Sequence, residues 1–239
     1  MRHGADHILK IPGSGNLVAK RTLLSGNTFY LTRWTDGKWR SAMLPDDPWL
    51  RVHPETREFL WTDECEREYP PSEFASYGPR PHAYKDVPYA VEPEIEEYVL
   101  ALGLDALTPV KEIYIRRRYW WLANDPVRIE RSFRLSAMPR YLFAWITKKP
   151  VQYSGLLMPA GGAEFYRQNL LRLIELVEAE PDSAAHRLLL ADAYRSLGDF
   201  DHSADLLGDY AFDEDKSPIA LTIRKLIDRR DRLVAEVSW

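Results

Sequence analysis

The string Trp34-Thr35-Asp36-Gly37-Lys38-Trp39 constrains this chain more than any other. An Asp-Gly pair between two runs of strand formers is the strongest short-range hairpin signal, because both residues of a two-residue loop must take φ > 0. Closing the loop at Asp36-Gly37 pairs Thr35 with Lys38 and sets Trp34 opposite Trp39 at a non-hydrogen-bonded position, where side chains approach most closely. The expectation is a ribbon over 28–35 and 38–44 locked by a cross-strand indole pair, with Arg33 facing Arg40.

Around the ribbon the chain is read as follows. Residues 1–10 form a loose lead-in, 17–24 a strand, and 58–62 a short closing strand. Pro45 and Pro48 stop the ribbon, since proline cannot donate to a ladder. From Tyr69 to Pro93 prolines recur without helical or strand period, so this is an extended connector, packed through Phe74, Tyr77, Tyr84 and Tyr89. Helices follow: one opened by Pro93 and ended by Gly103, a second opened by Thr108-Pro109 and ended at Asn124-Asp125-Pro126. The segment 138–162 is irregular. The clearest amphipathic helix spans 163–180, with Phe165, Leu170, Leu173, Ile174 and Val177 at helical spacing. Asp182 or Ser183 caps the next, Gly198-Asp199 turns the chain, and Ser217-Pro218 opens a last helix to about Val234. The fold class is α+β, organised as a β module (1–68), a Pro-rich connector with one helix (69–107) and a helical part (108–239).

At 239 residues, with 45% hydrophobic and 28% charged side chains, the chain can bury a real core, and eight Trp and thirteen Tyr make that core aromatic. A net charge of −4 is too small to imply a nucleic acid or membrane partner by itself. The single cysteine, Cys65, excludes an internal disulfide framework and any multi-cysteine metal site. With no signal peptide and no apolar run of spanning length, the expectation is a cytoplasmic protein without membrane contact.

Pro12-Gly13-Ser14-Gly15 and His53-Pro54-Glu55-Thr56 flank the ribbon at its base and resemble the Cys-Pro-x-Cys knuckles of a zinc ribbon. With the hairpin between them, roughly the first quarter of the chain resembles bacterial proteins that carry an N-terminal zinc-ribbon-like module. That resemblance places the ligand positions at Ile11, Ser14, His53 and Thr56, of which only His53 can bind metal. Tetrahedral structural zinc needs four thiolate or imidazole donors, so the resemblance implies a ribbon that has lost its metal. Ile11 and the Trp34/Trp39 pair are the candidates to replace it. Two ordinary Pro-containing turns are the alternative. Residues 184–207 resemble a tetratricopeptide repeat, with Ala191, Tyr194, Gly198, Phe200 and Ala204 at its packing positions. A plain bundle with one repeat-like hairpin fits equally.

Chemistry is sparse. His53-Pro54-Glu55 lacks the Pro-Cys-x-x-Cys partner of the zinc deaminases, Gly13-Ser14-Gly15 lacks the ending of a phosphate loop, and no His-Glu-x-x-His or Gly-x-Ser-x-Gly occurs. Carboxylates around Cys65 raise its pKa and blunt its nucleophilicity. Arg116-Arg117-Arg118-Tyr119-Trp120-Trp121 has the composition that grips phosphates and stacks bases, but the helical wheel spreads the arginines around the circumference, which suits buried tryptophans and guanidiniums paired with the acidic connector. The expectation is therefore a non-enzymatic, cofactor-free and metal-free protein-binding protein. Its most concrete form is a bacterial immunity or inhibitor protein that masks a secreted toxin, a basic toxin being the natural target, with an adaptor close behind. The candidate partner-binding residues are Arg33, Arg40, Arg116, Arg117, Arg118 and Tyr194. The rival is a nucleic-acid-binding regulator built on the same arginines.

Overall fold

Two apolar residues within the polar lead-in, Ile8 and Leu9, are buried and place β2 (His7–Lys10) in the middle of a three-stranded antiparallel sheet. This is the first correction that the computed structural model, which describes residues 2–69, 80–105, 107–132, 162–208 and 217–237, brings to the sequence reading. Among the described residues the protein is α+β: short strands first, then six helices. β2 pairs with β3 (Leu17–Lys20) on one side and β9 (Glu66–Tyr69) on the other. β1 (Arg2–His3) pairs with β4 (Leu23–Ser25), so the strand expected over 17–24 is two strands serving two sheets. β5 (Thr32–Arg33) and β6 (Trp39–Arg40) form the hairpin, and β7 (Leu50–Val52) pairs with β8 (Phe59–Trp61). The helices are α1 (Ile95–Ala101), α2 (Pro109–Ser132), α3 (Gly162–Glu178), α4 (Ala184–Leu197), α5 (Phe200–Gly208) and α6 (Pro218–Asp228).

The chain forms two compact units: Met1–Leu31 with Arg40–Glu97, and Thr32–Trp39 with Tyr98–Trp239. The tip of the hairpin thus belongs with the helices.

In the first unit Leu9, Ile11, Val18, Leu60 and Ala90 form one apolar core. Where it is described, the connector bonds to the strands, with Tyr89 38% exposed. Ala19 donates to Pro88 O (2.8 Å), while Val52 and Val91 exchange both backbone bonds (2.9 and 3.1 Å). The Tyr89 hydroxyl donates to Asp6 (2.6 Å) and Tyr84 lies against Tyr69 (5.8 Å between centroids). Phe74 and Tyr77, and the irregular stretch 138–161, lie outside the described residues. The indole pair of this unit is Trp49 with Trp61, edge-on at 4.7 Å.

The two turns that flank the ribbon share their closing backbone bonds, although Gly13 is left-handed (φ 89°) and its counterpart Glu55 is not. In residues 11–16, Gly15 N donates to Ile11 O (3.0 Å) and Ile11 N to Asn16 O (2.8 Å); in residues 53–58, Arg57 N donates to His53 O (2.9 Å) and His53 N to Glu58 O (2.9 Å). The fifth residue of each is left-handed, Gly15 at φ 75° and Arg57 at φ 56°. Asn16 Nδ2 ties the turns together by donating to Glu58 (3.1 Å). His53 is buried, and its Nδ1 accepts from the backbone N–H of Glu55 (3.3 Å) and Thr56 (3.2 Å), so its proton sits on Nε2.

The hairpin corrects the expected register. Trp34 N donates to Lys38 O (2.9 Å) and Gly37 N to Trp34 O (3.0 Å), with Gly37 alone at positive φ in the loop (79°). That is a three-residue loop closed by a glycine bulge. It sets Trp39 across from Arg33, and the one-residue slip sends Trp34 and Trp39 to opposite faces. The strands are also shorter than expected, because a turn over residues 28–31 with Tyr30 at φ 59° interrupts the run before Thr32.

Several helix boundaries follow their signals. Thr108 Oγ1 and Ser183 Oγ accept N-terminal N–H groups (3.4 and 3.1 Å), Ser217 caps α6 with Pro218 in its first turn, and Gly198 ends α4 in the left-handed region at φ 91°. α3 buries Leu170, Leu173, Ile174 and Val177 together with Trp120 of α2 and Leu190 and Ala193 of α4. Two boundaries differ. α2 runs through Pro126, which removes the helical donor to Leu122 O; Arg128 adds a side-chain bond to the neighbouring carbonyl, Trp121 O (2.5 Å). α6 stops at Asp228, after which Arg230 turns left-handed (φ 52°). Ala204, assigned to a packing position, is exposed; Ser203 and Leu207 face inward, with Ser203 Oγ donating to Ala191 O (2.6 Å). No described helix is long and apolar enough to cross a membrane.

Candidate partner-binding site

Three of the candidate arginines are spent inside the helical unit. Arg116 donates from Nε to Glu112 of its own helix (2.8 Å) and from Nη1 to Asn169 of α3 (3.4 Å). Burial pushes the Glu112 carboxyl up, but the hydrogen bonds from Arg172 and Arg116 outweigh it and hold the group below its ordinary value. The Arg117 guanidinium lies 5.2 Å from the Trp121 ring centre and burial lowers its pKa. Arg118 is buried, 5.3 Å from Trp121 and 5.8 Å from Tyr114. Arg33 offers its backbone oxygen to Val237 N (2.9 Å), whereas Arg40 is exposed.

What sequence reasoning missed is the seat of the hairpin tip. Asp36 is not a solvated turn residue but fully buried. Its carboxylate is paired with the Arg128 guanidinium and accepts from Asn124 Nδ2 (2.9 Å), while its backbone oxygen accepts from Trp121 Nε1 (2.9 Å). Tyr166 donates to Asn124 (3.2 Å) and accepts from Trp120 Nε1 (2.9 Å), and burial pushes its hydroxyl pKa up. At the rim, Lys38 and Arg128 share Asp125 (2.7 and 2.6 Å). A second buried pair lies on α4, where Arg195 donates twice to Asp192 (2.9 and 2.7 Å). Burial pushes the Asp192 carboxyl above the ordinary range against the pull of Arg195. Arg195 also holds the C-terminal tail through Asp231 O (2.5 Å) and Leu233 O (3.0 Å), and the tail then pairs with the tip through Thr35 N to Ala235 O (3.0 Å). The only sequence signal was a polar pair three residues apart on the apolar side of a helix, which reads equally as a solvated stripe.

An open depression lies at the turn between α4 and α5. Leu197, Gly198, Asp199, Phe200, Asp201 and Arg230 line a depression of about 400 Å³. Gly198 is required there: it is left-handed, and a Cβ would meet the Arg232 side chain at 3.3 Å, where Arg232 donates to Ser196 O (3.0 Å). Arg230 lies over the Phe200 ring at 5.7 Å. On the same two helices Tyr194 stacks on His202 (5.4 Å, 24°). Burial and the adjoining Glu178, which accepts its hydroxyl at 2.8 Å, push Tyr194 up to about 12. His202 is raised by its hydrogen bond to Asp199 (2.7 Å). The arrangement offers flat aromatic surface, two carboxylates and an imidazole.

Elsewhere, Cys65 is pushed up to about 11, by burial first and then by Glu64, Asp63 and Glu58. Among the described residues no three of His, Cys, Asp and Glu converge as metal ligands. Ile11, Ser14 and Thr56 do not fit a zinc site, and His53 Nδ1 is occupied by backbone donors.

These features define an α+β protein with a helical unit closed by an inserted hairpin tip. Comparison with protein-family models, with curated proteins and with solved structures gives no match.

Proposed function

We propose that the chain is a non-catalytic protein-binding protein that receives its partner at the α4–α5 turn, most concretely as an immunity protein masking a bacterial toxin or as an adaptor. The observation that carries this reading is the open depression beside the Tyr194–His202 stack. Asp201 and His202 are exposed there and Tyr194, Asp199 and Phe200 half-buried, while the Asp36–Arg128 and Asp192–Arg195 pairs lie in the interior. A partner presenting basic groups to Asp199 and Asp201 suits the carboxylates. The test is affinity for the purified product of the neighbouring gene. Tyr194→Ala with Phe200→Ala is expected to weaken it about tenfold or more, and unchanged binding would remove the site. The nucleic-acid alternative draws less support, because Arg116, Arg117 and Arg118 are engaged within the helices. Salt-steep, submicromolar binding of mixed-sequence DNA or RNA would restore it.

We read the first unit as a ribbon that has lost its metal. The support is the closing backbone bonds that its two turns share, with His53 Nδ1 accepting the pair of N–H groups that such a turn directs at a ligand atom. Elemental analysis is expected to find no stoichiometric zinc. One zinc per chain, lost in His53→Ala, would overturn this.

A further inference from the structure

We propose that residues 27–31 of the first unit form a second docking point, an aromatic anchor for an apolar pocket with an acidic rim on a partner protein. Phe29 and Tyr30 stand 70% and 90% exposed at the apex of this turn. The turn is rigid. Asn27 Oδ1 accepts from Phe29 N (3.1 Å), Thr28 O from Leu31 N (3.1 Å), and Ser41 Oγ donates to Asn27 O (3.1 Å). At its base Gly26 passes so close to Met43 that a Cβ would lie 2.1 Å from the Met43 carbonyl oxygen. Tyr30 is left-handed at φ 59°, a conformation a bulky aromatic takes only when its surroundings impose it, and such outliers gather at ligand clamps. Bracing and strain together hold two large rings in water, where they add nothing to the core.

The charge around them sets the partner. From His7 to Thr35 the sequence has no Asp or Glu, although the chain as a whole is acidic; of its basic residues Lys20 is paired with Asp47 and Arg21 lies over Tyr89. The next carboxylates along the chain after the hairpin are Asp46 and Asp47, and Asp47 is taken by Lys20 and Arg51 (2.8 Å each). Arg40 is exposed, is followed by Ser41, which braces the turn, and makes no ion pair among the described residues. Tyrosine, phenylalanine and arginine on a preorganised loop are the composition of an interface hot spot. One neighbouring arginine is too little for a groove that tracks a nucleic-acid backbone or for anchoring on an anionic membrane. A protein pocket with a carboxylate at its rim is the remaining fit. This rests on the first unit alone and stands or falls apart from the α4–α5 site.

The experiment places a photo-crosslinking amino acid at position 30 or at position 194 of the full chain in its own cells. The crosslinked protein is identified and purified, and its affinity is measured. Phe29→Ala with Tyr30→Ala is expected to weaken binding about tenfold or more. Arg40→Glu is expected to weaken it less, and a Lys in place of the facing partner carboxylate to restore it. Tyr30→Gly separates folding from binding: it relieves the backbone, so the variant melts no lower than the wild type while binding falls. Crosslinking from position 194 alone, crosslinks from position 30 to RNA or lipid only, or full affinity in the double variant overturns the proposal. Crosslinking from position 30 alone overturns the α4–α5 reading instead.

Discussion

The two units fasten a tight turn by opposite means. In the first, the turns at Ile11 and His53 are closed by backbone bonds, one imidazole nitrogen and the apolar Ile11 side chain. In the second, the turn at Asp36 is closed by a buried ion pair, with Asn124 and Trp121 satisfying the remaining acceptors. Closure by separate bonds is graded, since each lost bond costs a little. Ionic closure is closer to all-or-none, because removing one partner strands a charge where water cannot reach it.

The largest effect is therefore expected at Asp36. Asp36→Ala should destabilise the protein by about 3–5 kcal/mol in urea unfolding. Asp36→Leu combined with Arg128→Met should recover much of that loss, since a well-packed apolar pair often replaces a buried ion pair at little cost. A loss below about 1 kcal/mol for Asp36→Ala would mean that water reaches Arg128. His53→Ala should cost about 1–3 kcal/mol, the penalty of leaving buried N–H groups unpaired, and an equal loss at the two sites would erase the contrast.

A finer test asks whether the two turns of the first unit are equivalent. Gly15→Ala should cost about 1–2 kcal/mol, whereas Arg57→Gly should be neutral or stabilise by up to about 1 kcal/mol, because both positions are left-handed and only one holds glycine. Equal signs would break the equivalence.

The smallest effect is at His202. Its raised pKa means that the pair with Asp199 contributes fully below the ordinary histidine value and is lost as pH rises through the raised one. Proton NMR should show the imidazole titrating above 6.5, and Asp199→Asn should bring it back toward that value. No change would show that the pair does not persist in solution.

Much of this was written locally. Ser183, Gly198 and Ser217-Pro218 mark helix ends because caps act within a few residues. The Asp-Gly turn was legible, but its loop length was not: two- and three-residue loops both accept that pair, and here Asp36 reaches Arg128 and Asn124, far away in sequence. Pro126 misled because a proline removes one helical bond, that to Leu122 O, without having to end the helix. The paired Asp192 and Arg195 left only their spacing of three as a signal, which a solvated stripe shares. Phe29 and Tyr30 read as strand residues until the left-handed backbone at Tyr30 turned them outward.

The membership of Thr32–Trp39 in the helical unit has one more consequence. The chain enters that unit, leaves it, and returns at Tyr98, so no single cut yields both parts whole. A fragment begun at residue 98 would carry Arg128 and Asn124 without Asp36. Recombination that exchanged one part as a cassette would meet the same obstacle. Separating the two units therefore takes two breaks in the chain around residues 32–39 and a third before Tyr98.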